Sequence, residues 1–101
     1  MKSAVNMLIE ITEKAEQDLE KIDEYLLNRW NNKVLINFYD QLESVLENIA
    51  SGKIVYQSFE NSDYSKVLIS KHNTLVYHKS LEKITILRII NNFQSEEKKK
   101  L

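Results

Sequence analysis

The residues equipped for chemistry gather in the second half of the chain: Lys66, Lys71, His72, Tyr77, His78 and Arg88. Lysine and arginine hold anionic groups, and imidazole carries protons near neutral pH. Each of these residues also has a plainer reading. His72 sits beside Asn73 in what reads as a turn, where it is solvated. Tyr77 alternates with Leu75, which makes it a core ring before a catalytic phenol. His78 is either a strand-surface histidine or a proton carrier. Arg88 is either a solvated cation or one half of a pair with an acidic side chain, because burial without a partner is costly.

The rest of the composition removes other chemistries. The chain has 101 residues, 43% of them hydrophobic and 29% charged, which suits one domain with one modest core. There is no cysteine, so disulfides, thiolate metal sites and cysteine nucleophiles are excluded. With Gly52 as the only glycine and no proline, glycine-rich phosphate loops are excluded too. The two histidines lack a converging carboxylate pattern, so no metal and no cofactor is implied. No apolar run approaches the ~20 residues of a membrane helix, and the N-terminus lacks the apolar segment of a signal peptide. The expected compartment is cytoplasmic.

The elements that must position these residues follow from periodicity. Met7 to Ile11 is a short strand, rich in apolar and β-branched residues. Thr12 can cap a following helix, with Glu13 and Glu16 in its first turn. Ala15, Leu19, Ile22, Leu26 and Trp30 make one apolar face, while Glu16, Glu20, Asp23 and Glu24 lie off it. Asn31-Asn32 breaks the pattern and offers a cap to a second helix, with Phe38, Leu42, Val45 and Ile49 on its stripe. Gly52 follows as a left-handed stop. So short a link predicts an antiparallel helical hairpin.

From Lys53 to Asp63 the chain reads as a loop, with a short strand at Ile54–Tyr56. Tyr64–Lys71, Thr74–Ser80 and Lys83–Ile90 then read as three strands, linked by His72-Asn73 and Leu81-Glu82. On simple alternation Ile84, Ile86, Arg88 and Ile90 share one face of the last strand. The expected fold is α+β: an N-terminal strand, an antiparallel helical hairpin and a three-stranded antiparallel meander, with the helices on one sheet face. Residues 1–95 form the domain, and 96–101 form a charged C-terminal tail. The other sheet face is left for a ligand or partner.

Charge is divided between the halves. Residues 1–51 hold five basic and ten acidic side chains, whereas residues 52–101 hold nine basic and five acidic. The formal net charge of −1 is therefore a cancellation between an acidic helical half and a basic sheet half.

In this order of elements the sequence resembles the RelE/ParE superfamily of toxins from bacterial type II toxin–antitoxin modules, also called plasmid stabilisation proteins. The resemblance covers nearly the whole chain. Thr12-Glu13-Lys14-Ala15-Glu16-Gln17-Asp18-Leu19-Glu20-Lys21-Ile22 is similar to the family's helical opening, with Tyr25 and Trp30 at its frequent aromatic positions. Leu75-Val76-Tyr77 and Ile86-Leu87-Arg88-Ile89-Ile90 resemble its last two core strands. Asn91-Asn92-Phe93-Gln94-Ser95 resembles a degraded form of an Asp-Thr-Arg-Gln-Asn ending found in some branches.

The resemblance implies a growth-inhibiting toxin, a cognate antitoxin as partner, and one of two targets. ParE-like members bind DNA gyrase. RelE-like members cleave mRNA on the ribosome without a metal, using basic side chains on the open sheet face to stabilise the phosphorane charge. For cleavage the candidates are Lys71, His78 and Arg88; for target binding they are Lys66, Lys71, Arg88, Phe93 and Gln94. The chain has only two arginines, Arg29 and Arg88, and a pI near 6.1, which is thin for an RNA-cleaving enzyme. Asn92, Phe93 and Gln94 stand where relatives carry arginine, histidine or tyrosine. These departures favour the binding toxin over the endonuclease, and they also allow an inactive or attenuated member that only binds antitoxin.

Overall fold

The structure, a computed structural model, describes residues 7–52 and 64–91. The elements run β1 (Leu8–Ile11), α1 (Glu13–Arg29), α2 (Asn32–Ser51), β2 (Ser65–Ser70), β3 (Asn73–Lys79) and β4 (Lys83–Asn91). The strands form one mixed sheet in the order β1-β4-β3-β2. The meander of β2, β3 and β4 is antiparallel, and β1 lies parallel to β4 with Leu8 opposite Lys83 and Ile11 opposite Ile86. The expected strand at Ile54–Tyr56, and the tail at 96–101, lie outside the described residues.

Local chemistry sets the helix ends. The Thr12 hydroxyl accepts from the Ala15 N–H at 3.2 Å and caps α1. The same hydroxyl donates toward the Ile86 and Leu87 carbonyls, at 3.0 and 3.1 Å, so the cap also ties α1 to β4. Asn31 Oδ1 accepts from the Val34 N–H at 3.0 Å and starts α2. Gly52 ends α2 at φ 73°, the left-handed region that costs glycine least. Lys79, on β3, donates from Nζ to the Ile49 carbonyl at 2.8 Å, beside the Gly52 N–H that reaches the same oxygen at 3.2 Å, and so ties β3 to the last turn of α2.

Both helices lie on one face of the sheet. Ala15, Ile22, Phe38, Leu42, Leu46 and Ile49 bury against Ile69, Leu75, Tyr77, Ile84, Ile86 and Ile89. Tyr77 is a core ring, as its alternation with Leu75 predicts. Trp30 differs from the expectation of a packed stripe end: it is 64% exposed at the hairpin turn. The β2–β3 turn also falls one residue earlier than expected, at Lys71-His72, which places Asn73 in β3 and buries it. Among the described residues no helix is long and apolar enough to cross a membrane.

Candidate functional site

The site is the sheet face that the helices leave uncovered, and its layout depends on one irregularity in β4. Val76 pairs with Arg88, but Tyr77 pairs with Ile86, so Leu87 is an extra residue with no partner on β3. This is a β-bulge, which shifts the phase of alternation by one residue. Before it Ile84 and Ile86 point to the core; after it Ile89 does. Simple alternation through Ile84, Ile86, Arg88 and Ile90 is therefore incorrect. The bulge frees Arg88 from the core face, where a charge would need burial.

The bulge falls where β1 ends. Past Ile86, β4 has no neighbouring strand on that side among the described residues, and α1 lies along its edge. Thr12 receives nothing from β4 there but donates to it, and one turn and a half later Asp18 accepts the Ile89 backbone N–H at 3.0 Å. Asp18 is 8% exposed, and Arg88 completes its coordination through Nε at 2.7 Å and Nη2 at 3.2 Å. Burial pushes the Asp18 carboxyl up. The Arg88 hydrogen bonds, the Ile89 N–H and the charges of Arg88 and Lys14 outweigh it, and the carboxyl stays below its ordinary value. The hydrogen bond from Arg88 to Asp18 in turn holds the guanidinium charged.

Cross-strand register then assembles the face. Lys66 on β2 pairs with Val76 on β3, and Val76 pairs with Arg88 on β4. Two strand spacings put the Lys66 and Arg88 backbones roughly 10 Å apart, on either side of Val76. Val76 is 8% exposed yet stands outside the core cluster beneath the helices. His78 follows two residues along β3 on the same face, paired with Thr85. The structure thus brings Lys66, His78 and Arg88 together. Lys71 stands apart in the β2–β3 turn beside His72, both exposed. Phe93 and Gln94 lie outside the described residues.

Such a face can grip an anionic or polar surface through a lysine and an arginine that flank an apolar centre. Arg88, held by Asp18, is a fixed charge suited to contact and not to proton transfer. On the far side of the sheet the exposed faces of the helices carry Glu13, Glu16, Glu20, Glu24 and Asp40, so the two layers differ in charge. The residue that sequence reasoning missed is Asp18. Its signal was present: it lies three residues after Ala15 and four before Ile22, an acid on an apolar stripe.

Comparison with known proteins agrees with this architecture. The sequence matches the family model described as the ParE toxin of the type II toxin–antitoxin system parDE, over residues 9–92. No curated protein matches it. Among solved structures, the chromosomal ParDE toxin–antitoxin system from P. aeruginosa superposes with a TM-score of 0.64 at 23% identity, over 85% of this chain and 96% of that one. The YoeB dimer from Staphylococcus aureus gives 0.60 at 15% identity, over 83% and 94% of the two chains. The DinJ–YafQ toxin–antitoxin complex from E. coli gives 0.58 at 9% identity, over 89% and 97%. At these identities the likeness to solved structures is one of fold.

Proposed function

The chain belongs to the ParE toxin family of type II toxin–antitoxin systems, and from that premise we propose that it inhibits growth by binding a cytoplasmic target of the DNA gyrase kind through its open sheet face. The observation that carries this reading is the row Lys66–Val76–Arg88, a lysine and a clamped arginine around an apolar centre. Such a row favours contact over acid–base chemistry, since its arginine is committed to Asp18 as a permanent charge. Lys71, at the rim, extends the cationic surface, and Gln94 is assigned to the same contact.

A cognate antitoxin is the partner that neutralises it. The proteins of similar fold include the ParDE and DinJ–YafQ toxin–antitoxin systems. Among the described residues β2 is the last strand of the sheet, and its Leu68, 59% exposed, offers an apolar anchor to an extended segment. The product of the adjacent gene is expected to co-purify with this chain when the two are co-expressed, and separate elution would remove the partner assignment.

The second reading is ribosome-dependent mRNA cleavage, favoured by His78 on the same face as Lys66 and Arg88. One experiment separates the two. Purified toxin is added to a gyrase supercoiling assay and, in parallel, to ribosomes translating a defined message. Loss of supercoiling with intact message is expected. Codon-specific cleavage with unaffected supercoiling would establish the endonuclease instead.

A further inference from the structure

A cavity of about 360 Å³ lies between the helical hairpin and the β2–β3 turn. It shares no residue with the Lys66–Val76–Arg88 row. Three aromatic residues of the helices line it, Tyr25, Trp30 and Phe38. Asn37 and Gln41 of α2 add carboxamides, and Asn91 adds one from the end of β4. Among the described residues, no aspartate, glutamate, lysine or arginine lines it. Such a wall suits an uncharged ligand, because a charge inside would lose water without gaining a counter-charge. The space is more than twice the ~150 Å³ that admits a benzene ring in an apolar protein interior, which leaves room for two fused rings.

Cations rim the mouth. The exposed lining residues, Trp30, Asn37, Gln41 and His72, mark where the cavity meets solvent. Arg29 lies over the Tyr25 ring, with the guanidinium carbon 5.6 Å from the centroid, and so stands at the edge of the wall. Lys33 is one helical turn before Asn37 and Gln41 one turn after it, so the three share a side of α2. Lys71 precedes His72 in the β2–β3 turn. In these two turns, residues 29–33 and 70–73, every charged side chain is basic and exposed. The first acids back along the helices, Glu24 and Asp40, stand roughly 9 and 10 Å from Trp30 and Lys33.

We propose that this cavity binds a free purine nucleotide, with the base inside and the phosphate at the cations of the mouth. The base is flat, bicyclic and neutral, so it matches the size and charge of the space and stacks on aromatic side chains. A carboxamide pairs with the amino and ring-nitrogen edge of adenine through two hydrogen bonds, and Asn37 and Gln41 stand at the mouth to supply one. Arg29, Lys33 and Lys71 suit a single phosphate group and not the backbone of a strand. The proposal does not rest on the toxin reading.

The test is titration of the full chain with AMP, read by heat and by the fluorescence of Trp30, the only tryptophan. One-to-one binding with quenching is expected. Adenosine, which lacks the phosphate, should bind about fivefold more weakly, and ribose phosphate, which lacks the base, at least about tenfold more weakly. Trp30→Ala and Asn37→Ala change exposed side chains and should leave the fold intact by Tm. Read by heat, each should weaken AMP at least about fivefold. Lys33→Ala should weaken AMP and leave adenosine unchanged. Absence of heat and quenching at millimolar AMP overturns the proposal. So does equal binding of AMP and ribose phosphate, which would reduce the site to surface charge, and so does AMP binding that Trp30→Ala and Asn37→Ala both leave intact. Hexa-adenylate that binds more than about tenfold tighter than AMP would overturn the free nucleotide as ligand and assign the base to an RNA strand.

Discussion

Asp18 accepts a 2.7 Å hydrogen bond from Arg88 Nε across 70 positions of sequence, and the same carboxylate oxygen caps the Ile89 N–H. One side chain thus satisfies a backbone donor on the edge of β4 and holds the neighbouring cation in place. Removing it separates these roles from the cation itself. Asp18→Ala leaves a buried N–H unsatisfied and is expected to cost about 2 kcal/mol in urea unfolding at pH 7. Arg88→Ala strands a mostly buried carboxylate, but Ile89 still donates to it, so its cost should be smaller. If Arg88 contacts the target, Arg88→Ala abolishes growth inhibition at an expression level where Asp18→Ala, although less stable, retains part of it.

The same pair sets the acid limb of stability. The Asp18 carboxyl is held below its ordinary value in the folded chain and returns to it on unfolding. A depressed folded pKa contributes stability that is fully present above the unfolded value, near 3.8, and is lost as pH falls through the folded value. Urea midpoints measured from pH 6 to pH 2.5 should therefore fall steeply below about 4. In Asp18→Asn that part of the acid dependence should flatten. An identical slope in both chains would mean that other carboxylates carry it.

The origin of this pair explains how far the fold could be read beforehand. The helical hairpin was legible because Ala15, Ile22, Phe38 and Ile49 repeat with the helical period, and because Thr12, Asn31 and Gly52 mark its ends by local hydrogen bonding and φ. The meander was legible from short alternating runs. The pairing of β1 with β4 was not, since a parallel partner is chosen by packing at long range and leaves no turn signal. Nor was the bulge at Leu87: an inserted residue looks like any other until its partner strand is known. Half of the candidate face followed from that. Lys66 and Arg88 could be named from their types, but their sharing a row with Val76 depends on register.

Tyr39 reports the packing of the two helices. Its hydroxyl donates to Asp23 Oδ1 at 2.6 Å, and burial, that hydrogen bond and the Asp23 charge together push its ionisation well above the ordinary tyrosine range. A raised folded pKa contributes stability that is present below the unfolded value, near 10, and is lost as pH rises through the folded value. Alkaline absorbance titration should show a late-ionising tyrosine fraction that includes Tyr39. Tyr39→Phe should reduce that fraction and cost about 1 kcal/mol at pH 7.

Gly52 separates backbone strain from crowding. Its φ is 73°, and a Cβ built there meets nothing within 4 Å. Gly52→Ala should therefore cost about 1 kcal/mol through the left-handed conformation alone. Gly52→Asn should cost less, because asparagine tolerates that region. Thermal melts of the three chains give the order directly, and an alanine variant as stable as the parent would mean that α2 ends differently.

The division of charge between the layers is tested by reversing one charge on each. Lys66 is exposed on β2 in the row with Arg88, and Glu20 is exposed on α1 behind the sheet. Each single reversal at an exposed site should shift stability by only about 0.5 kcal/mol. Their effects on function should differ. Lys66→Glu places an anion roughly 10 Å from the Arg88 backbone and is expected to weaken target binding at least tenfold, with a matching loss of growth inhibition. Glu20→Lys raises net charge by the same amount that Lys66→Glu lowers it, yet lies off the face and should leave growth inhibition unchanged. If the two variants changed growth inhibition in opposite directions by similar factors, net charge alone would govern the encounter, and the open face would lose its claim to be the binding surface.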